Sequence, residues 1–313
     1  MDIQEINWRG MQAVLLRAGG YEAVVAPEMG ANCLSLTRPG EGLSFLRSPD
    51  RAETIRQAPN VYGLPLLFPP NRVQDGHFRF DGRDYDFPIN EPARHHHIHG
   101  LLSSLPFQQV GEATFEFKAD EKQPYLAFPH AFTVRRSYRL DESGLYHVVE
   151  WTNDSDQPMP LGTGLHAALN VPFAENTNGD GYRLQIPALR EWLYDPATII
   201  PTLQTQEESP LLSTLCEGAL CPEGRALSHL LELKAGPARL IGPAGAFCCQ
   251  PGPEYAFLML WNGGGRQGFV CPEPQSWLVD APNLPLPAER SGFFALAPHQ
   301  TKQYQVRYWY ERG

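Results

Sequence analysis

The chain reads as all-β, a large antiparallel β-sandwich with few short helices, and three features of its pattern say so. Apolar residues come in brief runs or in strict alternation, while the 3.6-residue period of an amphipathic helix is scarce. Turn signals fall between those runs at close spacing, as they do in sandwiches. Thirty prolines punctuate the 313 residues. Each removes an amide hydrogen and crowds the preceding helical turn, which opposes long helices.

Taken in order, residues 11–16, 21–25 and 33–37 are short apolar or alternating runs separated by Gly or Pro, hence strands. Residues 77–80 (HFRF) lead into Asp81-Gly82 and then residues 85–87 (YDF). That is a hairpin signal, because Gly tolerates the positive φ of a two-residue turn. Residues 114–118 (TFEFK) alternate cleanly, and residues 132–140 and 145–151 flank the turn sequence DESG. Residues 303–310 (QYQVRYWY) alternate polar and aromatic like a closing strand. Residues 204–224 read as a long irregular loop. No repeat, low-complexity tract or linker divides the chain, so one domain is expected over residues 1–313, with that loop as an excursion.

Composition narrows the function. The net charge of −10 is spread without long blocks, whereas phosphate backbones are bound by clustered Lys and Arg, which argues against nucleic acid. The first residues, MDIQEINWRGMQAVLL, carry acids where a secretory leader is basic. The densest apolar run, residues 255–261, is far too short to span a bilayer. Six cysteines in a chain of this length do not make a disulfide framework, and Cys216 and Cys221 have no second pair to complete a zinc site. A cytoplasmic protein with reduced thiols is expected, as a monomer or homodimer acting on a small molecule, with no membrane partner.

Four separated motifs then stand out: Asn71-Arg72, His99-Gly100, His166 within GTGLHAALN, and Glu273 within CPEPQSW. Together they supply one carboxylate, two imidazoles and an amide–guanidinium pair, the groups needed to open and reclose a cyclic hemiacetal. Each also has a plainer reading. Glu273 is equally a surface carboxylate at a strand end. His166 is equally a satisfied core histidine, although Gly162 and Gly164 beside it allow the close approach of a ligand. Asn71 and Arg72 could cap a turn after Pro69-Pro70. The run Arg94-His-His-His-Ile-His-Gly100 places His95, His97 and His99 at alternating positions that could ligate zinc. No acid or thiol is suitably spaced to complete that set, so no metal is expected, and His95–His97 read as rim or surface residues.

In order and local context these stretches resemble the aldose 1-epimerase (galactose mutarotase-like) family. The run YGLPLLFPPNRV, the hairpin after it, the His-Gly pair, the stretch ending PMPLGTGLH, the strand LMLWN and the Glu-Pro context of Glu273 occur in the family's order, over roughly residues 10–310. The resemblance implies a galactose mutarotase-like supersandwich that interconverts the α and β anomers of an aldohexose without cofactor or metal. It implies Glu273 as the base for the C1 hydroxyl, His166 as the acid for the ring oxygen, and His99 as support for charge there. Asn71 and Arg72 would hold the other hydroxyls.

The chain departs from the family pattern at one point. An aspartate common in the family is replaced within ALSHLL by Ser228 or His229, which would take over its hydroxyl contact without its charge. Phe68, Phe173 and Trp277 are the candidates for an aromatic platform. Two other readings stay open: an epimerase of a phosphorylated hexose, with Arg72 and Arg94 beginning a cation cluster, and a carbohydrate-binding protein without catalysis.

Overall fold

The computed structural model describes residues 1–313. Antiparallel strands dominate, with three α-helices of six, eight and four residues between them. The first five strands, Asp2–Trp8, Met11–Ala18, Tyr21–Ala26, Asn32–Arg38 and Leu43–Ser44, pair in chain order as a meander. No helix is long and apolar enough to cross a membrane.

Two larger sheets follow. One runs through Gln108–Gly111, Thr114–Ala119, Phe132–Asp141, Gly144–Asn153, Thr301–Arg312, Gly245–Pro251, Ala238–Gly242 and Arg183–Gln185. Its long hairpin closes at Asp141 opposite Gly144, and a Cβ on Gly144, at φ +117°, would collide with the Tyr308 carbonyl. The expected closing strand, Thr301–Arg312, lies inside this sheet, paired with Gly144–Asn153 on one side and Gly245–Pro251 on the other. The small hairpin His77–Phe80 with Arg83–Asp86 turns through Asp81 and Gly82 at φ +49° and +74°, the doubly left-handed turn that an Asp-Gly pair favours.

The other large sheet bears the site. Its order is Pro201–Gln206, Ala188–Tyr194, Ser228–Leu233, Phe257–Trp261, Phe269–Gln275, Gly164–Leu165 and Leu66–Leu67, with Leu169–Asn170 also on Phe269–Gln275. A cluster of 62 buried residues draws on the meander and both large sheets, so one apolar core backs the site-bearing strands. The expected loop at 204–224 is a correction: it contains the helix Pro210–Glu217. Ser209 Oγ caps it by accepting from the Leu212 amide at 3.2 Å, Pro210 fits the first turn, and Gly218 at φ +75° ends it. Those three signals stood in the sequence, but a helix of two turns offers too little periodicity to be seen.

One cation sits in the core. Arg136 is buried and donates to the carbonyls of Gly30 and Leu64, each at 2.7 Å, and through Nε to His147 Nε2 at 3.1 Å. Burial and the Arg136 charge hold His147 well below the usual imidazole range, so it is neutral and free to accept. Arg136 thus ties the meander to the segment that leads into Asn71. Arg136→Met fills the space but leaves two buried carbonyls unpaired, at ~1–3 kcal/mol each. The urea unfolding midpoint should fall accordingly; an unchanged midpoint would show that water or rearrangement satisfies both.

Candidate active site

Glu273 belongs to the strand Phe269–Gln275, whose seven residues are all buried. One flank is paired without a break from Cys271 to Gln275, with Met259 opposite Glu273 and Trp261 opposite Cys271. The other flank is interrupted. Leu169 pairs with Val270 and Gly164 with Gln275, and the residues between, His166 among them, leave the ladder. Pro272 and Pro274 have no amide hydrogen to offer, so they disturb least where a neighbouring strand is missing. Alternation places Glu273 and Gln275 on the same face.

His166 fills the gap. Its amide donates to the Pro65 carbonyl at 3.0 Å, and its Nε2 lies 3.2 Å from Glu273 Oε1. The His166 ring stands nearly perpendicular to Trp261 and to His99, with centroids 5.6 and 5.3 Å away. Glu273 is 2% exposed. Burial pushes its pKa well above the ordinary carboxylate range, against the opposing charge of Arg72 and the Gln275 amide, 3.4 Å from Oε2. Burial also pushes His166 down to about 4. His99 lies well below the usual imidazole range, first from burial, then from repulsion with His166 whenever that ring is protonated, and from the charge of Arg72. Burial thus favours the neutral carboxyl of Glu273 and the neutral imidazole of His166.

Asn71 and Arg72 enter from the loop after Phe68. Asn71 is left-handed at φ +56°, and its carbonyl accepts from the His99 amide at 2.9 Å. Its side chain extends a relay: Arg72 Nη1 donates to Asn71 Oδ1 (3.1 Å), Asn71 Nδ2 to Gln275 Oε1 (3.4 Å), and Gln275 Nε2 to Glu273 Oε2 (3.4 Å). Glu91 grips Arg72 with both oxygens, at 2.7 Å from Nε and 2.8 Å from Nη2. The backbone of Arg72 is braced as well, since its carbonyl accepts from the Asp280 amide at 3.0 Å. His99 at φ +65° and Gly100 at φ +64° turn together, and a Cβ on Gly100 would collide with the Phe68 carbonyl.

A cavity of about 390 Å³ gathers Asn71, Arg72, His99, His166, Ser228 and Glu273 in its lining, with Arg94, Ile199, Met259 and Trp261. That volume is within the range of ligand sites, ~300–1,000 Å³. Ser228 lies opposite Trp261 in the ladder, and its Oγ accepts from the Tyr194 hydroxyl at 2.7 Å. His229 is not in the lining. The strand's alternation turns it to the other face, where Nδ1 lies 2.7 Å from Glu191 Oε1.

The structure corrects three further expectations. Phe68, Phe173 and Trp277 are core residues rather than a platform: Phe68 packs among Tyr125, Phe128, Phe132 and Trp151, Phe173 against Phe45, and the Trp277 indole donates to the Pro70 carbonyl. The aromatic wall of the cavity is Trp261, which alternation with Met259 in the run LMLWN could have revealed. Gly162 and Gly164 answer to packing, since a Cβ on Gly162 would collide with the Trp277 ring and one on Gly164 would crowd Pro70 and Gln275. Of the three histidines read as rim, only His95 is exposed; His96 and His97 are buried, and His97 Nδ1 meets the Pro88 carbonyl at 2.8 Å. The alternating histidines do not converge. Ligand atoms of His99, His166 and Glu273 do, all within 4.8 Å of one another, so this is the set that could hold an ion. Glu91 and Gln275, which position Arg72 and Glu273, had no signal in the sequence.

The fold and the family are shared with known proteins. A model of the family described as aldose 1-epimerase matches residues 12–309. A galactose mutarotase-like protein from Clostridium acetobutylicum superposes with a TM-score of 0.93 at 28% identity, over 99% of this chain and 98% of that one. Galactose 1-epimerase from Lactobacillus acidophilus NCFM shares the fold, with a TM-score of 0.74 at 15% identity over 100% and 98% of the two chains. YihR, an uncharacterized protein of Escherichia coli K12, is 29% identical over 215 residues; the match spans 67% of this chain and 66% of that protein's length.

Proposed function

The chain belongs to the aldose 1-epimerase family, and from that premise we propose that it interconverts the anomers of an aldohexose through the buried Glu273–His166 pair. The observation that carries this is the 3.2 Å approach of Nε2 and Oε1 at the floor of a cavity lined with hydroxyl-binding groups. Anomerisation needs the C1 hydroxyl proton removed, the bond from C1 to the ring oxygen broken, and that oxygen protonated. Transfer of the shared proton from Glu273 to His166 yields the carboxylate that takes the C1 proton and the imidazolium that protonates the ring oxygen. Arg72, whose charge favours the carboxylate form of Glu273, assists that transfer. After rotation about C1–C2 the aldehyde recloses on its other face, and both protons return. His99 supports charge at the ring oxygen, Asn71, Arg72 and Ser228 hold hydroxyls, and Trp261 offers an apolar wall. Buried, free thiols at Cys33, Cys248, Cys249 and Cys271 suit a cytoplasmic setting.

Glu273→Gln keeps the shape and cannot accept the C1 proton. Turnover by exchange NMR should fall ~10²–10⁴-fold while sugar affinity by calorimetry stays within about tenfold. Near-full turnover in a folded variant would remove Glu273 from the chemistry.

The pH profile follows from one proton shared by two groups. Below about pH 4, His166 gains a second proton while Glu273 keeps its own, and no base remains. Above the raised pKa of Glu273 the pair loses its only proton, and no acid remains. The profile of kcat/KM should therefore be a plateau across neutral pH with an acid limb near 4; an acid limb near the ordinary imidazole value of ~6.5 would contradict this protonation scheme.

Because the proposed proton transfers need no ion, turnover should survive exhaustive chelation. Loss in chelator with recovery in zinc would instead make His99, His166 and Glu273 a metal centre.

A further inference from the structure

We propose that Asp280 is a positioning residue that stands in for a missing strand and fixes Arg72 against Glu273; its effect on turnover rests on the 1-epimerase reading of the cavity. The short strand Arg72–Gln74 has a neighbouring strand on one side alone, with Ile98 opposite Arg72, His97 opposite Val73 and His96 opposite Gln74. In an antiparallel pair every second residue turns its amide and carbonyl away from the partner. Here those residues are Arg72 and Gln74, and what they meet is Asp280.

The Asp280 amide donates to the Arg72 carbonyl at 3.0 Å, and Asp280 Oδ1 accepts from the Gln74 amide at 3.0 Å. A parallel strand would satisfy these two groups with the amide and carbonyl of one residue. Asp280 uses its side chain in place of its carbonyl, which is turned away and accepts from the Asn283 amide at 2.9 Å. The turn needs a left-handed residue, here at φ +59°, a conformation in which Asp is among the enriched residues. Asn283 Nδ2 completes the clamp by donating at 2.8 Å to the same Oδ1 and at 2.8 Å to the His77 carbonyl.

Asp280 is a buried acid that the proposed chemistry does not use, and it is 1% exposed. Burial raises its pKa to about 6 against the Gln74 amide and the Asn283 amide, and the charge of Asp75 raises it further. Its charged neighbour is thus another carboxylate, and N–H donors rather than a cation hold it in place.

The clamp joins the two halves of the site. The chain that carries Glu273 returns on residues 70–74 at successive points: Gln275 accepts from Asn71 Nδ2, the Trp277 indole donates to the Pro70 carbonyl, and Asp280 takes Arg72 and Gln74. Glu91 grips the Arg72 guanidinium, but its amide is bonded to His96, on the strand paired with Arg72–Gln74. Glu91 therefore moves with Arg72, whereas Asp280 ties the Arg72 backbone to the strand of the base. The Arg72 charge acts on both Glu273 and His99, so its placement bears on the reacting groups.

The test compares Asp280→Gly with Asp280→Asn in the purified full-length protein. Gly keeps the amide and the left-handed backbone but removes the accepting oxygen; Asn keeps all three. By exchange NMR with glucose and galactose, kcat/KM of Asp280→Gly should fall at least tenfold where circular dichroism shows it folded. Asp280→Asn should stay within threefold of the unaltered protein. The Arg72 Nε–H signal, assigned by its loss in Arg72→Lys, should exchange with solvent at least tenfold faster in Asp280→Gly and at the unaltered rate in Asp280→Asn. A smaller fall or a smaller rate change in folded Asp280→Gly overturns the inference and leaves the epimerase reading standing, as does Asp280→Asn more than threefold impaired. Should Asp280→Gly not fold, Asn283→Ala replaces it: Arg72 Nε–H exchange at least threefold faster supports the clamp, and a smaller change refutes it. Where neither sugar is turned over, it is the epimerase reading that fails, and the Arg72 exchange rate alone decides the clamp by the same thresholds.

Discussion

The arrangement turns on a carboxyl group held out of water with an imidazole as its nearest ionisable neighbour. A lone buried carboxylate is among the least tolerable groups in a protein interior. Glu273 is made tolerable because burial favours its protonated form, with His166 Nε2 3.2 Å from Oε1. The local fold serves that contact. The flanking strand breaks open between Gly164 and Leu169 to admit the histidine, and the two prolines occupy the strand that loses its neighbour there. Gln275, two residues on, turns its amide back toward the carboxyl. Arg72 lends positive charge while its guanidinium is paired with Glu91.

Local features of the fold were legible in the sequence because they are set by neighbours in the chain. Asp81-Gly82 and the turn before Gly144 fix their hairpins through backbone conformations that few other residues adopt. Alternation marks strands such as Thr114–Ala119 because one face is buried and the other is not. The strand Phe269–Gln275 was opaque for the opposite reason. It is buried on both faces, so nothing alternates, and its two prolines read as a break rather than as the centre of a sheet.

The site shows the same division. Asn71, Arg72, His99, His166, Ser228 and Glu273 stand in short motifs whose chemistry is complementary, and they line one cavity. What holds them was hidden. Glu91 reaches Arg72 from 19 residues away and Gln275 reaches Asn71 from 204, and neither has a local signature. The placing of Ser228 inside and His229 outside depends on strand register, which one slipped residue would invert. The histidine run departs from strand alternation through its backbone. His95 and His99 are both left-handed, at φ +56° and +65°, so the regular alternation that would have aligned His95, His97 and His99 does not exist.

Left-handed backbone also marks the cavity residues that come from outside the sheet. Glu273 and Ser228 stand on paired strands backed by the core, where position is fixed by many ladder bonds. Asn71, His99 and Ile199 approach from connecting segments, and all three have positive φ, which for a non-glycine residue costs of order 1–3 kcal/mol. Asparagine bears it most easily; a β-branched isoleucine bears it least. The segments are held in place by contacts to one another: the His99 amide to the Asn71 carbonyl, and His96 Nε2 within 3.2 Å of the Thr198 carbonyl beside Ile199. The sheet fixes Glu273, and His166 is held beside it from the gap by its amide bond to the Pro65 carbonyl. The cavity walls formed by Asn71, His99 and Ile199 are instead strained turns that lean on each other.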